Sequence, residues 1–586
     1  MDAFWGSIDT AAVALLWPLS IWIALSGLDD LAVDLVALAV AVRARFRRSR
    51  PSRRQLFAAR QRPIAILVPL WKEDQVIGRM VLQNASSIRY QNYHFFIGGY
   101  PNDDATVREV RKLEARFPHV HLAVCPHDGP TSKADCLNWI YQRIVEYEGI
   151  HGLRFEIAIT HDAEDVIHSD SLHWINWYSD EYAMVQVPVL PLPTPVSQWV
   201  HGLYIDEFTE YQTRDMQARE AMGAFVPSNG VGTGFRRDAL EAIARADQNR
   251  IFEPACLTED YENGLRLRLH GLRQAFLPLH AEGMATREYF PHTMATAIRQ
   301  RTRWVTGIAL QTWDRRGWPG GPIQWYWLWR DRKGLIGNPA SLLTNLLFLY
   351  GLGRWIFAGV VLDVPIMEAA ALFGAYRALF RIAAVWRVFG WALAITSPLR
   401  ILIGNVINSA ATLFALKRFL TAKWNRRPLV WVKTEHAYPC QAALATRSWR
   451  LGEVLVSNGY MSHEELDAAL GSRPAHVRLG EHLISCGLID EDSLYEALSL
   501  QQGLPHTRVA ANQVRKSVAR ALPKGLAEKH KLVPLKVDLG RLLVGGPELP
   551  THAMREELSK YTALEVEFCL MTPGNYQELV SALLRA

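Results

Sequence analysis

An uncharged run of eighteen residues, Ala11 to Leu28, precedes nine arginines and no acidic residue between Arg43 and Arg62. No other feature restricts the fold so strongly. Eighteen apolar residues are about the minimum for a helix that crosses a bilayer, so the chain is expected to organise itself around a membrane. A secretory signal would carry its basic residues ahead of the apolar stretch, and here they follow it. The bias of basic loops toward the cytoplasm puts the arginine block inside and the N-terminus outside. A core helix of a soluble domain is the other arrangement such a run allows. Asp29, Asp30 and Asp34 limit the span, so Leu31–Val42 is expected to be an interfacial helix rather than a second crossing.

At 586 residues the chain exceeds what a single core usually supports. Its formal charge of +6 is small for that length and gives no reason to expect a nucleic-acid polymer as partner. The six cysteines (Cys125, Cys136, Cys256, Cys440, Cys486 and Cys569) are scattered, without the close pairing of a zinc site. That usage fits a reduced compartment, hence a cytoplasmic body. Pro63–Pro69 (PIAILVP), Tyr93–Gly98 and Phe155–Thr160 read as buried strands separated by helical segments. Strands alternating with helices imply an open, mostly parallel sheet, which binds ligands beyond the carboxyl ends of its strands.

Beyond Trp304 the texture becomes apolar again. Ala340–Leu362 reads as a span broken only by Arg354, and Ala378–Pro398 as a weaker one containing Arg381 and Arg387. Leu399–Phe419 carries Arg400, Asn405 and Asn408, which suits a helix lying on the membrane surface. If both flanking domains are cytoplasmic, an even number of crossings separates them, and two is the smallest. The expected division is an N-terminal span and basic segment (1–61), an α/β domain (62–333), transmembrane and interfacial helices (334–420), a linker (421–447) and an α+β domain (448–586).

The candidate chemistry lies in the second segment. Asp162 and Glu164 follow an apolar strand with one residue between them, a spacing that lets two carboxylates converge on one divalent cation such as Mg2+ or Mn2+. A solvated acidic loop can read the same way. In Thr258-Glu259-Asp260 a proton acceptor precedes the helical stretch Tyr261–His270, although acidic residues are favoured at helix starts anyway. Gln300, Arg303 and Trp304 place an amide, a cation and an aromatic within one helical turn, enough to line the edge of a sugar-binding cleft. Order and spacing together resemble the processive family 2 glycosyltransferases, over roughly residues 62–310. The likeness includes Gly232-Thr-Gly234-Phe235-Arg236-Arg237.

That resemblance implies a GT-A glycosyltransferase domain. Asp162 and Glu164 become the metal pair, Asp260 the catalytic base with Glu259 beside it, and Gln300, Arg303 and Trp304 the holders of acceptor end and diphosphate. Lys133 and Asn138 match the segment beside the donor nucleotide. The family's Asp-Asp pair after its second strand is replaced here by Gly98-Gly99-Tyr100-Pro101-Asn102-Asp103-Asp104, and contact with the base passes to Asp103.

A second motif set occupies 450–501. Arg450-Leu451-Gly452 and Arg478-Leu479-Gly480 lie 28 residues apart, each followed by equivalently spaced Leu, Gly, Leu and Ala-Leu positions and closed by Arg473 or Gln501. Such a period marks a duplicated supersecondary unit. A helical repeat for protein docking is one use of it. The units also resemble the N-terminal domain of type II secretion and pilus ATPases, in the version that binds cyclic di-GMP. A guanidinium can meet guanine, and two units match a two-fold ligand. Arg473 departs from that pattern, which has Gln.

A transferase followed by this module, with "YIDEF" (204–208), "LTEDYENGLRL" (257–267) and "WRDRKG" (329–334), is similar to a family of bacterial inner-membrane transferases that phages exploit together with an outer-membrane partner. The resemblance implies a multi-pass enzyme, catalytic and regulatory domains cytoplasmic. It would extend a surface polysaccharide or a lipid-linked acceptor from a UDP-sugar, with cyclic di-GMP as allosteric activator. Single addition to a lipid carrier, or a non-catalytic secretion scaffold, are the alternatives.

Overall fold

The structure is a computed structural model that describes residues 2–46, 51–279, 284–427, 429, 451–452, 455, 460–461, 463–474, 476–502, 504–506, 508–538, 541–562 and 564–584. The chain divides into two compact units, one drawn from Met1–Tyr438 apart from 85–87, the other containing Pro439–Ala586.

Among its described residues the larger unit has nine strands: β1 (Ile64–Pro69), β2 (Tyr93–Gly99), β3 (Val120–Val124), β4 (Ile157–Thr160), β5 (Met184–Gln186), β6 (Val189–Pro191), β7 (Thr233–Arg236), β8 (Gln274–Phe276) and β9 (Thr286–Glu288). Seven of them form one sheet in the order β3-β2-β1-β4-β7-β5-β8, while β6 and β9 pair separately. Every neighbour pair is parallel except those of β7, which runs antiparallel to β4 and β5. The continuous apolar run of β1 has a direct cause. Ile64, Ile66 and Val68 enter one core cluster and Ala65 and Leu67 the other, so both sheet faces are covered. The expected mostly parallel α/β fold is therefore present, with one strand reversed.

The helices that matter for the site are α1 (Asp2–Phe46), α2 (Lys133–His151), α3 (Trp199–Glu210), α4 (Glu259–Leu269), α5 (Met294–Trp304), α6 (Pro322–Arg332), α7 (Gly334–Ala358), α8 (Met367–Phe389) and α9 (Ser397–Trp424). Among the described residues, four helical stretches are long and apolar enough to cross a membrane: Phe4–Arg43, Pro322–Ala358, Met367–Phe389 and Ser397–Trp424. This corrects the sequence reading in one place: Leu31–Val42 is no separate interfacial helix but the continuation of α1. Leu399–Phe419 falls within Ser397–Trp424, which is long and apolar enough to cross by length and composition alone.

The charges that obscured these helices are matched by distant partners. Asp29 and Asp30 pair with Arg330 and Lys333, and Asp34 with Arg214 and Arg377. Arg354 is held by Asp9 at 2.6 Å, and Arg400, fully buried, by Asp206 at 2.6 Å. Asn408 donates to Glu207 at 3.1 Å, Asn405 to Asn345 at 3.3 Å. A paired charge in an apolar helix costs far less than a bare one.

The smaller unit contains helices α10 (His463–Ser472), α11 (Leu479–Ser485) and α12 (Glu491–Gln502), then a three-stranded sheet of β10 (Val533–Asp538), β11 (Arg541–Gly546) and β12 (Glu565–Leu570). β11 lies in the middle, antiparallel to β10 and parallel to β12. The duplication is visible in packing. A Cβ on Gly452 would meet the Leu466 side chain at 2.8 Å, and one on Gly480 would meet Leu494 at 2.7 Å, so both glycines admit the leucine 14 residues downstream. Close helix packing is what this pair requires of glycine.

Candidate active site

β4 ends at Thr160, and the loop His161–Asp165 turns beyond the carboxyl end of the sheet. Asp165, wholly buried, closes that turn on itself. Its carboxylate accepts from His161 Nδ1 at 2.6 Å and from the Asp162 amide at 3.1 Å. Asn84 clamps the exit, donating to Asp165 O and accepting from the Ile167 amide, each at 2.9 Å. Burial pushes the His161 imidazole down to about 3, although Asp162 opposes it, so the ring is neutral at ordinary pH. With Asp165 and His161 spent on the turn, Asp162 and Glu164 line the cleft.

Lys133 opens α2, whose first turn is capped by Ser132 Oγ accepting from the Asp135 amide at 3.2 Å. Its ammonium reaches Asp162 Oδ1 at 2.5 Å. Burial alone would lower Lys133, but Asp162, Glu259 and Asp260 outweigh it and hold the group raised and charged. Glu259 and Asp260 begin α4 in the same cleft. Burial raises both carboxyls: at Glu259 the Asp260 charge adds to it, and at Asp260 Lys133 opposes it. Gly230 makes the convergence possible. At φ 78° its missing Cβ would lie 2.6 Å from Asp260 Oδ2 and 3.3 Å from Lys133 Nζ.

Gln300, Arg303 and Trp304 complete the lining from α5, which runs directly into a π-helical turn, Val305–Gln311. Such turns commonly sit at functional sites. Gln311 ties it to the acidic motif, accepting from the Leu257 amide at 2.9 Å and donating to Ala255 O at 2.7 Å. Arg301 points the other way, to Glu207 at 2.5 Å and Asn408 at 2.6 Å, and so fixes the helix. Within the protein, Gln300 Oε1, Arg303 Nε and Asn229 Nδ2 are buried without a hydrogen-bond partner. Polar atoms in that condition are completed by water or a polar ligand.

One pocket thus gathers Lys133, Asp162, Glu164, Glu259, Asp260, Gln300, Arg303 and Trp304. Two expected donor contacts stand elsewhere. Asn138 is buried in the packing of α2, accepting from the Ile251 and Phe252 amides at 2.9 Å and donating to Phe252 O at 2.9 Å. Asp103 takes the Lys72 amide at 2.5 Å, shaping the turn that follows β1 without lining the pocket. That turn supplies Trp71 and Glu73, and Tyr100, Asn229 and Glu288 also line the cleft. Trp71 and Glu73 follow a strand end, where the open-sheet rule would have pointed. Glu288 ends a three-residue strand that leaves no periodicity. Burial, then Asp165, Glu164 and Asp162, raise its carboxyl.

A hard divalent cation fits the donor set, since Asp162 and Glu164 offer oxygen ligands and a diphosphate would supply the remainder. Among the described residues no three His, Cys, Asp or Glu side chains already form a metal cluster.

In the smaller unit Arg478 precedes α11 with its side chain exposed, and Arg473 bonds Val477 O at 3.1 Å across the same loop. Leu451 and Leu479 pack against the hydrophobic core. Arg450 and the side chain of Gln501 lie outside the described residues.

A mostly parallel sheet with acidic motifs and a Gln-x-x-Arg-Trp helix converging at its strand ends defines a family 2 glycosyltransferase, and residues 61–307 match the family described as glycosyltransferase like family 2. Residues 502–586 match the MshEN domain. The chain belongs to the family of bacteriophage adsorption protein B: the Escherichia coli (strain K12) protein of that name is 34% identical over 588 residues, covering 94% of this chain and 79% of its own. The type IV pilus assembly ATPase PilB of Myxococcus xanthus is 35% identical over 134 residues, 23% of this chain and 24% of that one. Among solved structures, mannosyltransferase PcManGT from Pyrobaculum calidifontis, in complex with GDP-Man and Mn2+, aligns with a TM-score of 0.39 at 18% identity, covering 69% of this chain and 99% of that one.

Proposed function

We propose that this glycosyltransferase is an inner-membrane, inverting enzyme that extends a surface polysaccharide from a UDP-sugar, and that cyclic di-GMP switches it on. The observation that carries this reading is the single pocket where Asp162, Glu164, Asp260, Gln300, Arg303 and Trp304 meet. Asp162 and Glu164 would hold Mg2+ or Mn2+, which when bound offsets the charge of the nucleoside diphosphate. Asp260 takes the proton of the acceptor hydroxyl as that oxygen attacks the anomeric carbon and the diphosphate departs on the opposite face. Its raised affinity for a proton, caused by burial, suits a proton acceptor. Lys133 and Arg303 face the leaving diphosphate. Gln300 and Trp304 orient the acceptor. Trp71 and Tyr100 offer the apolar wall for the base that Asp103 does not provide.

The Arg-Leu-Gly units would take the two halves of cyclic di-GMP through Arg450 with Leu451 and Gly452, and Arg478 with Leu479 and Gly480, Arg473 and Gln501 closing each half. With the arginine block after α1 inside, catalytic and regulatory domains share the cytoplasmic side only if two of α7, α8 and α9 cross. We assign α9 as the helix that does not, because its buried Arg400, Ser409 and Thr412 face protein and its Arg400 and Asn408 bind α3. Export then needs an outer-membrane partner. The test is purified full-length protein incubated with a panel of UDP-sugars, with and without cyclic di-GMP, reading UDP release and product length. Release from one sugar, stimulated by cyclic di-GMP and yielding long product, is expected. No release from any donor overturns the proposal.

A further inference from the structure

A groove between α5 and α9 shares one side chain with the catalytic pocket, because Arg303 lines both. Ile298 and Phe414 form its apolar wall, Arg299, Arg303 and Arg418 surround it, and Thr302 lies between them. On α9 long cations join the exposed apolar side chains at this level. Leu413 and Phe414 are each 54% exposed, and Lys417, Arg418 and Lys423 follow within ten residues. Long cations interleaved with exposed apolar and Trp side chains are the pattern a helix presents at the depth of lipid headgroups.

The pairing of arginines bears on this groove. Along the helices, Arg354 is clasped by Asp9, Arg381 by Glu210, Arg400 by Asp206 and Arg301 by Glu207. Among the described residues Arg299 and Arg303, on the same helix as Arg301, belong to no such ion pair. Arg303 Nε is also buried with no hydrogen-bond partner. Water or a ligand completes a guanidinium so placed, and phosphate oxygens match its geometry.

We propose that the groove seats a lipid-borne phosphate. The occupant is a phosphate or diphosphate ester on a single hydrocarbon chain, its anion among Arg299, Arg303 and Arg418 and its chain over Ile298 and Phe414. Three cations suit a monoester or diphosphate, which carries two or more negative charges, better than a phosphodiester lipid, which carries one. The proposal rests on reading the adjoining pocket as a transferase cleft, and it makes the groove the entry for the lipid-anchored end of the acceptor.

The test uses full-length protein in phosphatidylcholine nanodiscs, with farnesyl monophosphate as probe and calorimetry as readout. Farnesol, inorganic phosphate and phosphatidylglycerol are the comparison arms, and UDP binding reports the integrity of the neighbouring cleft. Farnesyl monophosphate is expected to bind at least about tenfold more tightly than any comparison arm, and Arg299→Ala with Arg418→Ala to weaken it by about tenfold or more while UDP binding stays the same. Should the double variant lose UDP binding as well, Arg299→Gln alone on an exposed helix face replaces it, with a loss of about threefold expected. Unaltered affinity in a variant that binds UDP, or equal binding of farnesol, inorganic phosphate or phosphatidylglycerol, overturns the proposal. Wild-type protein that transfers no sugar yet binds farnesyl monophosphate through these arginines overturns the transferase reading and leaves the groove standing.

Discussion

In the cleft, Asp162, Glu164, Glu259, Asp260 and Glu288 crowd around two cations, Lys133 and Arg303. Along the helices of the same unit, Asp9, Asp206, Glu207 and Glu210 each meet an arginine of another helix. Both regions bury charge, but only the second balances it. Balanced pairs hold elements in register, and losing one partner leaves a buried charge stranded. An excess of carboxylates is different: it raises their proton affinity and draws in cations, which is what a site for a metal and a basic catalyst needs. The contrast separates residues that build this protein from residues that do its chemistry, although both are Asp, Glu and Arg.

The contrast predicts different failures. Asp260→Asn removes the proton acceptor at nearly constant shape, so transfer should fall by about a thousandfold with thermal unfolding and UDP binding close to wild type. Turnover within tenfold of wild type would sink the assignment. Asp206→Ala should do the reverse. Stranding Arg400, wholly buried beside it, should cost about 3–5 kcal/mol of stability, read as a lower unfolding midpoint in detergent. Adding Arg400→Met should recover part of that loss. If the single variant unfolds like wild type, the pair is not a structural element.

The smaller unit offers a gentler contrast, since Arg478 is exposed and has no structural duty in view. Arg478→Ala should weaken cyclic di-GMP binding by about tenfold or more while basal transfer persists, because the catalytic carboxylates belong to the other unit. Calorimetry with unchanged affinity would leave the repeat as a docking surface.

The same contrast explains what the sequence revealed and what it concealed. The apolar runs of β1, β2 and β4 announced the sheet, and the motifs at its strand ends announced the cleft, because both signals are local. Gly452 and Gly480 kept the duplication legible for the same reason. Leu31–Val42 was cut from α1 because aspartates beside an apolar run look like a break until their partners are known. Those partners are far away: Asp34 meets Arg214 across 180 residues and Asp29 meets Lys333 across 304. Asn138 failed from the opposite side. Its position matched the family motif, but its amide is taken up by the 251–252 backbone. Glu288 gave no signal because a three-residue strand has no period to detect.

The smallest predicted effect concerns pH. Transfer needs Asp260 ionised, and burial holds its carboxyl above the usual carboxylate range even though Lys133 opposes that. The sign follows directly. A raised affinity means the proton is taken up at a higher pH as solutions are acidified, so kcat/KM should fall on the acid side with a midpoint above the ordinary aspartate value of about 4. Lys133→Met removes the opposing cation and should move that midpoint further up, by about one pH unit, in addition to weakening donor binding. Arg301→Gln, whose partners Glu207 and Asn408 lie outside the cleft, should lower the rate without moving the midpoint. A profile flat down to pH 4, or one that Lys133→Met shifts downward, would show that the base sits in a balanced environment like those of the helices.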